Sequence, residues 1–520
     1  MSTSAEVRPP SAAASQTAPQ LVQGLGLTSA TTLVMGSMIG SGIFIVSAEI
    51  AREVNSPALL IGAWLVTGFM TIVGALSYGE LAAMMPKAGG QYVYLRESLG
   101  PLWGFLYGWT LFLVIQTGTI AAVGVAFGKF MGHFFPTAIS ADNWIWHIAK
   151  VPPIHVGPMV LGNMDVGLNT QNLCGIIIVI FLSVLNIFGL KLGAAVQNLF
   201  TIAKVSALAA LVLAGIFIHR NAAAIAANFG NFWRLDSPHS AGGITNGALV
   251  GPFVGVLTIL AVAQVGSLFS ADAWNNVTFT AGEVKNPKRN LPLSLAMGTG
   301  VVILLYMAAN FVYLMHLPFD GNPNGADVVT RGIQFATSDR VGTAALQQMF
   351  GNSGASLMAI AILISTFGCC NGLILSGARV YYAMARDGLF FKATGAVHPT
   401  YHTPKNALIV QGIWTCLLCL SGTYGQLLDY IIFAVLVFYI LTIAGLFVLR
   451  RTRPQAERPY RAFGYPVLPA VYIVMALFID IVLLRYKPQY TWPGLIIVLL
   501  GIPVYLIWSR RSAGAVRASS

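Results

Sequence analysis

Apolar stretches long enough to cross a bilayer recur along the whole chain. They lie at residues 27–50, 57–84, 101–131, 172–190, 195–218 and 249–280, then at 292–316, 352–384, 406–422, 425–450, 465–484 and 492–509. This pattern predicts twelve membrane-crossing helices. Two of them are interrupted, five helices apart. The first contains three glycines within Gly36-Ser37-Met38-Ile39-Gly40-Ser41-Gly42, each costing about 1 kcal/mol of helix propensity against alanine. The sixth runs apolar from Gly251 and then meets Gly266-Ser267-Leu268-Phe269-Ser270-Ala271-Asp272-Ala273-Trp274-Asn275-Asn276, where a mid-span carboxylate costs ~2.5–3.5 kcal/mol on insertion scales. Open backbone is tolerated at membrane depth only where it lines a cavity or is buried in protein. Paired interruptions in two halves predict an inverted repeat with a binding site at its interface.

Composition agrees with this reading. Hydrophobic residues make up 56% and charged residues 9% of the 520, against about 25% charged in soluble domains, and the mean hydropathy is +0.74. The expected organisation is a polar, disordered cytoplasmic tail over 1–20, a first repeat over 21–220 and a second over 245–451. Appended helices over 465–510 and a cytoplasmic tail over 511–520 complete it. The net charge of +12 does not call for a nucleic-acid partner, because the basic residues are scattered over interhelical links. With the N-terminus inside, 19 of the 29 Lys and Arg fall on the cytoplasmic side and nine outside, so both termini are expected in the cytoplasm. The external link at 132–171 is rich in Pro, Trp and Asn, and the one at 317–350 carries Val341 to Phe350 as a short amphipathic lid or an ordinary packed loop. The five cysteines all fall in apolar segments and read as small packing residues.

Three groups inside the membrane carry chemistry. Lys204, near the middle of the fifth span, is too deep to snorkel easily. It is open to two roles, a structural ammonium on broken-helix carbonyls or a carrier of protons. Asp272 is open to three: holding a substrate ammonium, pairing with Lys204, or capping its own helix. At the first break, the outer half-helix begins near Ser41 and Gly42 with amides that favour an anion, and the inner half ends near Met38 and Ile39 with free carbonyls. An anion site beside a cation site suits the carboxylate and ammonium of an α-amino acid, over which Phe269 would close. Glu80 and Glu283 are expected to latch the cytoplasmic end through basic partners.

Four further stretches carry a resemblance. Gly36 to Phe44, Pro86-Lys87-Ala88-Gly89-Gly90-Gln91-Tyr92, Glu283-Val284-Lys285-Asn286-Pro287-Lys288-Arg289-Asn290-Leu291-Pro292, and Ser376-Gly377-Ala378-Arg379 with Ala385-Arg386-Asp387-Gly388 stand in the order found in the amino acid–polyamine–organocation superfamily. The chain resembles its L-type amino acid transporter branch and the bacterial relatives of that branch. The resemblance implies an all-α polytopic fold with a five-plus-five inverted repeat, broken helices 1 and 6, and alternating access. It implies substrate contacts at Met38, Ile39, Gly40, Ser41, Gly42, Phe269 and Ser270, with Gln116 and Thr119 toward the substrate side chain. It also implies that Lys204 stands where sodium-coupled relatives bind sodium. Where bacterial relatives commonly read aromatic-Asp-Gly-Trp, this chain has Ala271-Asp272-Ala273-Trp274, which widens the side-chain pocket. The expected activity is sodium-independent amino acid transport by exchange or proton-coupled symport, in a cell membrane such as a bacterial inner membrane. A cationic amino acid or polyamine permease and an amino acid sensor are the alternatives. No cofactor, metal or enzymatic step is expected, and a partner subunit stays open.

Overall fold

The computed structural model describes residues 21–152, 154–156, 159–161, 164–234, 252–421 and 424–519. The expected tail over 1–20 lies outside them. The first expected span divides into α1 (Leu27–Met38), a 3₁₀ turn (Gly42–Phe44) and α2 (Val46–Val54). Then come α3 (Pro57–Met84), the short α4 (Gln91–Leu99), and α5 (Pro101–Thr110), which passes through a π turn (Leu111–Ile115) into α6 (Gln116–Met131). Next are α7 (Thr170–Ile187), α8 (Leu190–Phe217), α9 (Ala222–Gly230), α10 (Pro252–Ser270), the single turn α11 (Asn276–Phe279) and α12 (Pro287–His316). The remainder comprises α13 (Val328–Arg331), α14 (Val341–Arg386), α15 (Lys405–Cys419), α16 (Tyr424–Thr452), α17 (Val467–Tyr486) and α18 (Pro488–Ser519).

Among the described residues nine helices are long and apolar enough to cross a bilayer, and this is a predominantly helical, polytopic membrane protein. The other expected spans are divided or short: the first is cut in two, and the apolar parts of the sixth and ninth are Val254–Ser270 and Lys405–Cys419. The expected tail over 511–520 continues α18 as helix to Ser519. The fold is not purely α. The 132–171 link carries β1 (Trp144–Val151) paired antiparallel with β4 (Met164–Asn169), and β2 (Ile154–Val156) paired with β3 (Met159–Leu161). The aromatic and β-branched residues from Trp144 onward suit a strand. The lid candidate from Val341 to Phe350 forms the first ten residues of α14, which breaks at Gly351 (φ 63°).

One end of the bundle is tied by ion pairs. Glu80 is fully buried and accepts from Arg450 Nη2 at 2.6 Å and the Ala462 amide at 2.7 Å, with Arg458 Nε in ion-pair range at 3.3 Å. Glu283 and Arg379, also fully enclosed, meet through Nε at 2.7 Å and Nη2 at 3.1 Å. The Glu283 carbonyl takes the amides of Gly24 and Leu25 at 2.8 and 3.0 Å, and Lys285 N donates to Leu25 O at 2.8 Å, so the chain preceding α1 is stitched to the link before α12. Both carboxylates thus find the basic partners expected of them. Burial pushes the nearby Glu97 carboxyl up, but hydrogen bonds from Arg453 and Arg96 outweigh it and hold the group below the usual carboxylate range. Its pairing is therefore complete at neutral pH and is lost only as pH falls through that lowered value.

Removing one member of a buried pair strands the other charge and costs about 3–5 kcal/mol. Arg379→Met should therefore sharply lower the temperature of thermal unfolding in detergent, and adding Glu283→Gln should recover part of the loss. A double variant no more stable than Arg379→Met would disprove the stranded-charge account.

Candidate functional site

The first break is organised by one ammonium. Lys204, on α8 and 2% exposed, donates through Nζ to Gly36 O at 2.6 Å, Ile39 O at 2.7 Å and Ser365 O at 3.1 Å. The helix leaves α geometry at Ile39 (φ −77°, ψ 94°), so the Gly36 and Ile39 carbonyls lose their usual donors and turn to the lysine. Gly36 permits this approach: a Cβ there would fall 2.0 Å from Gln197 Nε2 and 2.2 Å from Thr201 Oγ1 of α8. Ser365 Oγ reaches Ile39 O at 3.0 Å and Gly40 O at 2.9 Å, and Cys369 Sγ reaches Ser37 O at 3.1 Å.

The carbonyls expected to stand free are therefore engaged by the protein's own donors. Of the readings open for Lys204, the geometry is that of an ammonium caged by carbonyls. It does not pair with Asp272, which accepts instead from the Tyr439 hydroxyl at 2.6 Å.

The second break faces the first. α10 ends at Ser270, and Ala273 turns the chain with φ 63° before α11. An alanine in left-handed geometry costs roughly 1 kcal/mol or more, and glycine would remove that cost. The Tyr306 hydroxyl of α12 lies 3.1 Å from both Met38 O and Ser270 O, bridging the two breaks. A Cβ on Gly42 would fall 2.2 Å from Ser270 Oγ, so the breaks touch only because residue 42 is glycine. Phe269 and Ser41 are buried beside this contact.

Gln116, Thr119 and Asp272 come together elsewhere, around a small cavity of about 20 Å³ that Tyr107, Asn276 and Tyr439 also line. Gln116 Nε2 donates to Leu373 O at 2.8 Å and Thr119 Oγ1 to Ile115 O at 2.6 Å. Both follow the π turn of the third span, a device frequent at functional sites. A second space, about 10 Å³, lies on the other side of Asp272, against Trp274 and Tyr472. Sequence reasoning missed Tyr306, Ser365 and Tyr439. Tyr306 and Tyr439 are single hydroxyls in apolar runs, and Ser365 stands beside Thr366 in another; that was the signal available. No group of three or more His, Cys, Asp or Glu side chains is placed to hold a metal ion among the described residues.

Residues 25–506 match the family described as amino acid permease. The chain belongs to that family. Among its relatives, the permease is 30% identical to the serine/threonine exchanger SteT of Bacillus subtilis (strain 168), over 95% of this chain and 98% of that one. It is 28% identical to the large neutral amino acids transporter small subunit 2 of Homo sapiens, covering 94% and 80% of the two chains. Against the b(0,+)-type amino acid transporter 1 of Homo sapiens the identity is 27%, over 94% and 88%. The permease is an amino acid transporter and not an enzyme.

Two outcomes follow from this geometry. Lys204→Met should leave the Gly36 carbonyl without its donor, at about 1–3 kcal/mol for a buried polar group, and lower the unfolding temperature of the purified permease. Ala273→Gly should raise it slightly; no rise would mean that the left-handed turn is not strained.

Proposed function

We propose that the permease is a sodium-independent exchanger of amino acids that works by alternating access. The observation that carries this reading is the Lys204 ammonium, held between carbonyls of the first break and Ser365 of α14. A fixed cation at this point removes the need for a sodium ion there and makes the break a permanent part of the fold. Exchange is taken from the printed activity of the Bacillus relative.

The reading places twelve spans in two inverted five-helix repeats, over 21–220 and 245–451, with the helices of 465–510 appended and both termini in the cytoplasm. Helix pairing supports it: α1 packs on α8 and α6 on α7, while α10 packs on α16 and α14 on α15. The first helix thus meets the fifth, and the third meets the fourth, in each half. The substrate carboxylate would lie on the Ser41 and Gly42 amides and its ammonium near Met38, Ile39, Gly40 and Ser270, with Phe269 closing over it. The side chain would point toward Gln116, Thr119 and Asp272, whose cavity of about 20 Å³ must widen as the permease opens. Opening on the cytoplasmic side would break the Glu80–Arg450 and Glu283–Arg379 pairs. One human relative's name raises the matter of a partner, since it is called a small subunit.

Asp272 favours a second reading. It lines the cavity, and its hydrogen-bond partner there is a neutral tyrosine. A cationic side chain would satisfy a buried carboxylate better than a neutral one, which would make the permease a carrier of cationic amino acids.

Uptake into liposomes tests both. Labelled serine, leucine and lysine are followed in sodium-free buffer, with and without internal amino acid and across a pH gradient. Uptake that requires internal substrate and is abolished by Gly42→Val is the expected result, whereas uptake into empty vesicles driven by inward protons would replace exchange with symport. Preference for lysine that Asp272→Asn reverses would establish the second reading. No uptake under any condition would overturn both.

A further inference from the structure

Away from both breaks, α3, α10 and α17 leave an open groove of about 280 Å³ between them. It is lined by Val66 of α3, Leu257, Leu260 and Ala261 of α10, and Val474 and Phe478 of α17, among others. Val474 is 67% exposed, and Leu257 and Phe478 are exposed too, so the groove opens on the outside of the bundle. The polar residue in its lining is Gln264, and that side chain is already committed. Its Oε1 accepts from the Thr67 hydroxyl at 2.7 Å and its Nε2 donates to Ala63 O at 3.2 Å. The groove therefore suits a hydrocarbon occupant.

α17 leads from this groove to a charge. Val474, Phe478, Ile481 and Arg485 recur at the spacing of one helix face, and all four are exposed. Arg485 stands two turns beyond Phe478 and three beyond Val474, about 10 and 16 Å along the axis. Half of a bilayer's hydrocarbon core is about 15 Å. A phosphate held by Arg485 thus puts the chains attached to it level with the groove. Arg485 has no acidic partner among the described residues, and its guanidinium carbon lies 5.4 Å from the Tyr486 ring centroid. Aromatic rings beside a basic residue are typical of the point where a helix leaves the hydrocarbon. The charges nearby are spent or turned away: Lys487 donates to Glu53 at 2.9 Å, and Asp480, the acid on α17, is buried.

We infer that α3, α10 and α17 form a binding site for an anionic phospholipid, with its phosphate on Arg485 and one acyl chain in the groove. Charge complementarity and the continuity of the groove with the exposed apolar stripe of α17 select this occupant. A guanidinium meets two phosphate oxygens at once, and a headgroup of net negative charge is drawn to it more strongly than a zwitterionic one. α10 runs straight into the second break at Ser270, so an acyl chain lodged against it fills the seam between that helix and α17.

Photolabelling of the full chain in lipid nanodiscs tests it. The probes are trace phosphatidylglycerol and phosphatidylcholine, each with a diazirine midway along one acyl chain, and adducts are mapped by peptide mass spectrometry. Phosphatidylglycerol adducts should concentrate on residues 257–264 and 474–479, several-fold above those on Ile177, Ile180 and Phe181, which are exposed on α7. Arg485→Gln should bring them down to the phosphatidylcholine level, and Arg485→Lys should keep part of the excess. Val474→Trp, at an exposed position, should fill the groove and lower the adducts on 257–264 with Arg485 intact. Equal labelling by the two lipids, unchanged in Arg485→Gln, would reduce the groove to ordinary lipid contact and overturn the site. Adducts no denser there than on α7 would overturn it as well. Cross-links between two copies of the chain through 474–481, in place of lipid adducts, would assign the groove to a second copy and overturn it too. Amino acid uptake is measured separately, so failure here leaves the transport reading intact.

Discussion

A transmembrane helix that opens in the middle must find donors for the carbonyls it releases, because the surrounding lipid offers none. In this permease one lysine meets two of them at once. Lys204 takes Gly36 O and Ile39 O from the first break and Ser365 O from α14, so three segments distant in sequence converge on a single ammonium. Ser365, Cys369 and Tyr306 finish the task on Ile39, Gly40, Ser37 and Met38. The close approach of α1 to α8 at Gly36 lets the lysine reach these carbonyls.

The same logic explains how unlike the two acidic environments are. Glu80 and Glu283 lie at a bundle end and are matched by guanidinium groups in bidentate or near-bidentate geometry. Asp272, in the centre, has a tyrosine hydroxyl and a cavity on either side. A charge without a counter-charge in a low-dielectric interior is expensive, and that cost sets Asp272 apart from the paired carboxylates at the bundle end.

Much of this was legible in the sequence because the constraints are local. Glycine clusters and a mid-span aspartate mark where helices open, and a lone deep lysine marks where an opened helix is repaired. Glu80 and Glu283 could be matched in advance to basic partners. What stayed hidden depends on tertiary placement. Tyr306, Ser365 and Tyr439 look like any hydroxyl in an apolar run, and only the packing of α12, α14 and α16 brings them to a break. The donors that reach the Met38 and Ile39 carbonyls stayed hidden for the same reason, since they come from elsewhere in the chain. The strands beginning at Trp144 were carried by β-branched and aromatic residues, but a helical prior for the whole chain obscured them.

The stitch between Gly24, Leu25 and residues 283–285 is made of main-chain groups. Every residue except proline supplies the same amide and carbonyl, so side-chain drift at these positions leaves the fastening intact. The adjoining Glu283–Arg379 pair has no such insurance, because each partner depends on one side chain. This end of the molecule thus joins a closure that evolution cannot easily retune to one that a single substitution can weaken, and variation in how tightly homologous permeases hold shut should concentrate in the second.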